Sequence, residues 1–150
     1  MDFIFKQYSS QDAIYRQAWD LRQKILRTPV GLQLTEQDRQ RDNIDWHFCL
    51  CRKDRLLATV SVEIREESHN SPRQVKLRQM VVSPDFQNQG LGQQLIKKTE
   101  AVLRQKSVES IQLAARLPAV EFYQKLGFKP VGPVYHHLNI DHRDMVKALP

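Results

Sequence analysis

A turn with two glycines, between a predicted strand and a predicted helix, is the part of the sequence best suited to bind an anion. Residues 81–95 read Val-Val-Ser-Pro-Asp-Phe-Gln-Asn-Gln-Gly-Leu-Gly-Gln-Gln-Leu. A helix start leaves about four backbone N–H groups without partners, and the helix dipole places partial positive charge there. Gly90 and Gly92 have no side chains to hold an anion away from these groups, and residues 88–94 contain no Asp or Glu. The pattern indicates a phosphate site, although two glycines could also simply make a tight turn.

The motif is not one of the common nucleotide-binding loops. The Walker pattern G-x-x-x-x-G-K-[ST] is absent, and the Rossmann pattern G-x-G-x-x-G is incomplete and comes after several elements instead of in the first one. Cys49 and Cys51 lie two residues apart, so in a strand they point the same way, but a bridge between them would be strained. We expect reduced thiols, and a lone C-x-C is a poor zinc site, so no metal is expected.

Composition and charge narrow the class of protein. The chain has 150 residues, 41% hydrophobic and 27% charged, which predicts one soluble domain. No apolar run approaches the ~18 residues that span a bilayer, and no signal peptide is visible, so we expect a cytoplasmic protein without a membrane partner. The net charge of +6 attracts anions. Basic residues are spread along the chain without a zinc-finger or aromatic RNA-binding motif, so nucleic acid is not the expected partner.

The elements that must position the turn alternate between helices and strands. A short strand at Phe3 and Phe5 precedes a helix capped at Ser9, whose apolar face carries Ile14, Ala18, Leu21 and Ile25. A short helix opens at Thr35. Strands are predicted at residues 46–51, 56–65, 74–83, 111–115, 134–140 and 145–148, helices from Gly92 and from Pro118 to Leu126, and a polar loop at 66–73. This order predicts an α/β protein with a mixed sheet.

Two motifs in this order resemble those of the GNAT superfamily of N-acetyltransferases. The first is Arg/Gln-x-x-Gly-x-Gly/Ala after a strand ending in Val-x-Pro, and residues 87–92, Gln-Asn-Gln-Gly-Leu-Gly, match every defined position. Residues 119–128, Ala-Val-Glu-Phe-Tyr-Gln-Lys-Leu-Gly-Phe, resemble the second, A-x-x-F-Y-x-K-L-G-F. The resemblance covers the chain. It implies an α/β fold with a GNAT-like mixed, mostly antiparallel sheet flanked by helices, with two splayed central parallel strands.

The resemblance also implies acetyl-CoA as co-substrate, without a metal. The strand before the turn would offer backbone groups to the pantetheine arm, and the turn amides would hold the pyrophosphate. The residues so implied are Met80, Val81, Val82, Gln87, Asn88, Gln89, Gly90, Leu91, Gly92 and Gln93, with Lys125 near the nucleotide phosphates. Lys125 could equally be a solvated surface lysine.

Tyr123 corresponds to the tyrosine that commonly acts as general acid in this family. Acetyl transfer from a thioester to an amine expels a thiolate, and a phenol with an ordinary pKa near ~10 can protonate it. The alternative is that Tyr123 is a packed aromatic residue, like Phe122. Glu63, at the end of an apolar alternating strand, is a candidate general base, directly or through water. Other candidates by chemistry, each of which could instead be a structural polar residue, are His136, His137 and His142.

The acceptor pocket is expected to involve Arg78, Gln79, Arg116 and His142, and a basic lining would favour an acidic acceptor. Many relatives carry an asparagine after the strand at 111–115, where this chain has Ala114-Ala115-Arg116, so the side-chain contact to acetyl-CoA expected there is in doubt.

The sequence thus predicts an N-acetyltransferase that acts on a primary amine of a small molecule by direct attack in a ternary complex. A homodimer is left open. One alternative is a protein or peptide N-acetyltransferase, which would need an open groove. The other is a non-catalytic acyl-CoA-binding regulatory domain, against which the intact Tyr123 argues.

Overall fold

Fifteen short segments make up the fold in a computed structural model that describes residues 3–64 and 72–150. The segments are β1 (Ile4–Tyr8), α1 (Tyr15–Arg22), a π turn (Gln23–Arg27), a 3₁₀ turn (Thr28–Val30), α2 (Glu36–Asp42), β2 (Trp46–Arg52), β3 (Arg55–Glu63), β4 (Gln74–Val82), a 3₁₀ turn (Pro84–Phe86), α3 (Leu91–Gln105), β5 (Ser110–Arg116), a 3₁₀ turn (Leu117–Ala119), α4 (Val120–Lys125), β6 (Lys129–His137) and β7 (Ile140–Ala148). Of the loop predicted at 66–73, residues 66–71 lie outside the described residues.

The seven strands form one sheet in the order β1-β2-β3-β4-β5-β7-β6. Among the strands of the described residues, β4 and β5 are parallel neighbours and every other pair is antiparallel. The parallel pairing runs from Gln74 opposite Ser110 to Leu77 opposite Leu113 and then stops, although both strands continue. The predicted mixed sheet with two splayed central parallel strands is therefore confirmed.

A β-bulge in β4 lies where the two strands part. Thr59 of β3 is opposite Val81, but Ser61 is opposite Arg78, so β4 contains one extra residue between these positions. Gln79 in this bulge has a φ of 55°. Because a bulge bends its strand and increases its twist, it turns the end of β4 away from β5.

The two faces of the sheet carry separate apolar cores. Phe48 and Leu50 of β2 belong to a cluster that includes Leu95 and Ile96 of α3. The alternate residues of β2, Cys49 and Cys51, instead pack in a cluster with Tyr15 and Ala18 of α1. Since side chains of a strand alternate between faces, α3 covers one face of the sheet and α1 covers the other. Both thiols are free, as expected, with their sulfur atoms 3.3 Å apart.

The first helix differs from its prediction at both ends. The backbone N–H of Ser9 donates to Asp12 Oδ2 at 2.8 Å, but residues 10–14 form turns, and the helix begins only at Tyr15. After Arg22 the helix widens into a π turn, which shifts the residues that follow. Arg27, at the end of this turn, is buried, and so is Arg22 before it, whereas the predicted apolar residues Leu21 and Ile25 are only half-buried. The short helix predicted to open at Thr35 is confirmed, with a capping box to Asp38.

Of the two C-terminal strands that the sequence predicted, the one at residues 145–148 lies within β7, but the other was placed wrongly. The stretch predicted at residues 134–140 spans the end of β6, a turn and the start of β7. His137 is opposite Ile140, so the turn has two residues, Leu138 and Asn139, with φ of 51° and 63°. Positive φ at both residues is typical of the type I′ hairpin turn, which glycine usually marks. This turn contains no glycine, so the sequence pattern did not indicate that one strand ends and the next begins there.

Candidate active site

The turn before α3 has the geometry of an anion site. Gly90 has a φ of 80° and caps the helix without a side chain, and the first turn contains no acidic residue. The N–H of Gln94 donates to the Gly90 carbonyl at 3.0 Å, which is the first bond of the helix. The amide groups before it point out of the helix end. A Cβ at Gly90 would meet no atom within 4 Å, so the space beside these amides is open to a phosphate group.

Gly92 serves a different purpose from the one predicted. It is buried, and a Cβ built on it would lie 3.3 Å from Phe122 Cζ and 3.4 Å from Met80 Cε. The sequence reasoning assigned both glycines to clearing space for an anion. In the structure Gly90 faces open space, while Gly92 allows α3 to pack closely against α4 and β4.

The other residues implied to bind acetyl-CoA lie together around this turn. The Gln87 side chain donates to the carbonyl of Val82 at 3.1 Å, which ties the turn to the end of β4. Val81 and Val82 pair with β3 on one side of the strand, so their other side faces the opening towards β5. Lys125 is 75% exposed and pairs with Glu121 at 3.6 Å. It lines a cleft of about 360 Å³ together with Gln93, Lys97, Glu100, Arg104, Leu126 and Lys147.

Tyr123 on α4 is both a packed ring and a free hydroxyl. Its ring meets Phe122 and Phe128 edge to face, with centroids 5.0 and 5.7 Å away. Only 8% of the residue is exposed, and this burial raises the pKa of the phenol above its ordinary value. Within the described parts of the chain nothing hydrogen bonds to the hydroxyl. At neutral pH it therefore keeps a proton that it can donate.

Glu63 lies in a network of charges that the sequence did not reveal. Its Oε1 atom is 3.6 Å from Arg41 Nε and 3.8 Å from Arg78 Nη1. Asp45 belongs to the same network: its Oδ1 accepts from Arg41 Nε at 2.9 Å and from the Ile64 N–H at 3.2 Å. Burial raises the pKa of the Asp45 carboxyl to about 6. Arg78, expected to contact the acceptor, thus also serves to hold these carboxylates.

His142 and Arg116 lie opposite each other at the ends of β7 and β5. His142 Nδ1 is 2.9 Å from the carbonyl of Ile140, which can only accept, so Nδ1 carries the proton. Burial lowers the pKa of the imidazole, which leaves Nε2 with a free lone pair in the neutral ring. The rings of Tyr135 and His137 lie 5.9 Å from that of His142.

Gln79 and His136 were also predicted for the site. Gln79 is at the β4 bulge, and its Nε2 is buried without a hydrogen bond in the described structure. His136 pairs with Asp141 at 3.0 Å on the exposed hairpin, so its imidazole has a partner already.

Arg27 and Asp45 are the site residues that sequence reasoning missed. Asp45 could have been suspected, because an acid directly precedes the apolar strand β2. Arg27 gave no such signal, since an arginine four residues before a glycine at a helix end reads as solvated surface. Its burial depends on the π turn.

The hairpin of β6 and β7 contacts the segment that follows α1. Asn139 at its tip donates from Nδ2 to the carbonyl of Val30 at 3.1 Å, beyond the end of α1. The Arg116 guanidinium also donates to the carbonyl of Leu26 in the π turn. Among residues 3–64 and 72–150, no helix is long and apolar enough to cross a membrane, and no three His, Cys, Asp or Glu residues gather as metal ligands do.

Comparisons with known proteins agree with this geometry. Residues 12–128 match the acetyltransferase (GNAT) family. GCN5-related N-acetyltransferase 2, chloroplastic, of Arabidopsis thaliana is 42% identical over 50 residues, which are 33% of this chain and 19% of that relative's length. An acyl-CoA N-acyltransferase from Pseudomonas aeruginosa superimposes with a TM-score of 0.80 at 22% identity, over 97% of this chain and 99% of that one. An aminoglycoside 6'-N-acetyltransferase complexed with coenzyme A does so with a TM-score of 0.79 at 16% identity, over 98% of each chain. At these identities the two structures establish the fold.

Proposed function

Since the chain belongs to the acetyltransferase (GNAT) family, we propose that it transfers the acetyl group of acetyl-CoA to a primary amine of a small molecule, by direct attack in a ternary complex. The observation that carries this proposal is the uncapped start of α3, with open space at Gly90, beside the gap between β4 and β5. An anion fits the start of α3, and an extended arm fits the gap between β4 and β5. Coenzyme A has both an anionic group and an extended arm.

In this proposal the turn and the strand divide the binding of acetyl-CoA. The backbone N–H groups from Gln87 to Gln93 hold the pyrophosphate, because amides at a helix start favour anions. Residues 80–82 offer their backbone to the pantetheine arm, and Lys125 lies near the nucleotide phosphates. Acetyl-CoA supplies the acetyl group as an activated thioester.

Tyr123 holds the proton for the leaving thiol. Its hydroxyl is protonated because the burial of the ring disfavours phenolate, and it has no competing acceptor in the described structure. Donation of this proton from the Tyr123 oxygen to sulfur is the general-acid step.

Two groups can take the proton of the amine. Glu63 can act through water, and its carboxylate lies beside Arg41 and Arg78. His142 can act through Nε2, which is unprotonated in the neutral ring.

The contact between the β6–β7 hairpin and the segment after α1 supports a small acceptor. A protein or peptide substrate needs an open groove, whereas here the hairpin tip is hydrogen bonded to Val30 across one side. This contact does not distinguish an enzyme from a non-catalytic acyl-CoA-binding domain. The experiment below distinguishes them.

The test is a thiol-release screen with acetyl-CoA over a panel of amines, with calorimetry of CoA binding alongside. We expect CoA to bind and at least one small amine to release thiol. Release with peptides alone would favour the protein-modifying alternative. CoA binding without release by any amine or peptide would favour the regulatory domain, and no CoA binding would overturn the proposal.

A further inference from the structure

Arg27 and Arg116 converge on one carbonyl oxygen. Arg27 Nη1 lies 3.5 Å from the Leu26 carbonyl, and Arg116 donates to the same oxygen from its Nη2. Arg27 comes from the π turn after α1, and Arg116 from the end of β5. Two positive groups that are far apart in sequence are thus held side by side.

Neither guanidinium forms an ion pair within 4 Å in the described part of the chain, although the charge of Asp38 acts on Arg27 from farther away. The ion pairs formed there join other arginines to carboxylates, such as Arg22 to Asp42 at 2.8 Å and Arg78 to Asp45 at 3.6 Å. Arg27 and Arg116 form none within 4 Å. Arg27 is nevertheless buried, with 8% of its surface exposed. A buried charge without a partner is unfavourable, and two neighbouring ones are more so.

The pKa values of the two groups agree with this geometry. Burial lowers the pKa of the Arg27 guanidinium, Asp38 opposes that shift, and the positive charge of Arg116 adds to it. Burial also lowers the pKa of Arg116. Both groups stay charged at neutral pH, because arginine does not lose its proton in proteins.

The pair lies beside residues that the sequence assigned to the acceptor site. Arg116 is opposite His142, whose Nε2 is free, and the hairpin tip is anchored at Val30, three residues after Arg27. The π turn that buries Arg27 is a helix irregularity found frequently at functional sites.

We propose that Arg27 and Arg116 bind a carboxylate or phosphate group of the acceptor, so that the acceptor is an amine that also carries an acidic group. This inference rests on the proposed function and names the substrate class for it. Guanidinium groups suit this purpose because their planar donors match the oxygens of both anions. An anionic group would supply the close counter-ion that neither guanidinium has among residues 3–64 and 72–150.

The test compares acceptors in pairs that differ only in the acidic group. One arm uses amino acids against their carboxamides, and the other uses amino-sugar phosphates against the unphosphorylated amino sugars, so the arms separate carboxylate from phosphate. We expect wild type to prefer the acidic member of at least one pair by about 10- to 100-fold in kcat/KM, as charge-assisted hydrogen bonds produce. Arg27→Gln and Arg116→Gln should each move this ratio towards one. Arg27→Lys, which keeps the charge without the planar fork, should retain part of it.

Arg143→Gln is the matched control. Arg143 is next to His142 on β7, so its side chain lies on the other face of the sheet, where Nε donates to the Gly132 carbonyl at 3.1 Å. The Arg143→Gln variant should prefer the acidic acceptor over the neutral one by the same ratio of kcat/KM as wild type. Equal kcat/KM within every pair, or a preference that survives both glutamine variants, would overturn the inference while leaving acetyl transfer itself intact.

A binding measurement keeps the inference testable if no amine is acetylated. The Nε–Hε signals of ¹⁵N-labelled protein, assigned with the glutamine variants, are followed while the same pairs are titrated in the presence of CoA. We expect the Arg27 and Arg116 signals to move with the acidic member and not with the neutral one. If they stay in place, or move equally with both members, the inference is wrong whatever the activity.

Discussion

Gly92 and Phe122 are in direct contact between α3 and α4: a Cβ on Gly92 would lie 3.3 Å from Phe122 Cζ. Each residue belongs to one of the two sequence motifs, and Phe122 precedes Tyr123. The anion-binding turn and the helix that carries the proposed acid are therefore packed as one unit. A change at Gly92 should disturb both.

We expect Gly92→Leu to destabilise the protein by about 1–3 kcal/mol, because a larger side chain overpacks this contact. Leucine forms helix better than glycine, so the loss cannot come from helix propensity. Urea unfolding measures it. In a double-mutant cycle, Phe122→Ala should relieve part of the penalty, and strict additivity of the two changes would contradict the contact.

Gly90→Asp should abolish the stabilisation of the fold by CoA. In wild type, CoA at a hundred times its dissociation constant should add about 2.7 kcal/mol. Aspartate puts a negative charge where Gly90 leaves open space. Gly90→Asn is the matched control, since asparagine has nearly the same shape, tolerates positive φ and has no charge. Melting curves of both variants with and without CoA test this. If CoA raises the melting temperature of the Asp and Asn variants equally, the anion binds elsewhere.

Tyr123→Phe should lower turnover by about 10²- to 10⁴-fold, the usual contribution of a general acid. Stability and CoA affinity should change little, because the ring stays packed between Phe122 and Phe128 and the hydroxyl has no bond to lose in the described structure. Steady-state acetyl transfer with a good and a poor nucleophile, together with CoA calorimetry, tests this. Near-normal turnover with both amines would remove Tyr123 from the chemistry.

Asp45 should make stability depend on pH in the acid range. Burial raises the pKa of its carboxyl to about 6 in the folded state, from an ordinary value of 3.8. The folded state then binds more protons than the unfolded state between about pH 4 and pH 6, so this contribution to stability falls as pH rises through that window.

Relative to Asp45→Asn, wild type should therefore lose about 1–3 kcal/mol of unfolding free energy from pH 4 to pH 6. Asp20→Asn, at a largely exposed carboxylate, is the control. Urea unfolding at a series of pH values gives the difference. A difference that is constant or rises with pH would show that the Asp45 carboxyl is not perturbed in this direction.

The sequence by itself determined the parts of the site that depend on neighbouring residues. An uncapped helix start with Gly90 before it offers backbone N–H groups suited to an anion, so the residues at 87–93 suffice to propose a site there. The mixed sheet followed from the order of strands and helices, and the splayed parallel pair was implied by the resemblance of the two motifs to those of the GNAT superfamily. The sequence did not predict the hairpin turn at Leu138 and Asn139, because neither residue indicates positive φ as glycine does.

Only the tertiary structure decided which distant side chains meet. Arg27 is buried because a π turn rotates it inward and because β5 brings Arg116 to the same Leu26 carbonyl. Asp45 gains its raised pKa from burial at the start of β2. These relationships depend on strand register and on a local irregularity of a helix, and neither leaves a periodic pattern in the chain. The position of Arg27, Arg116 and Asp45 was therefore set by packing, whereas the proposed anion site at α3 was set by local backbone geometry.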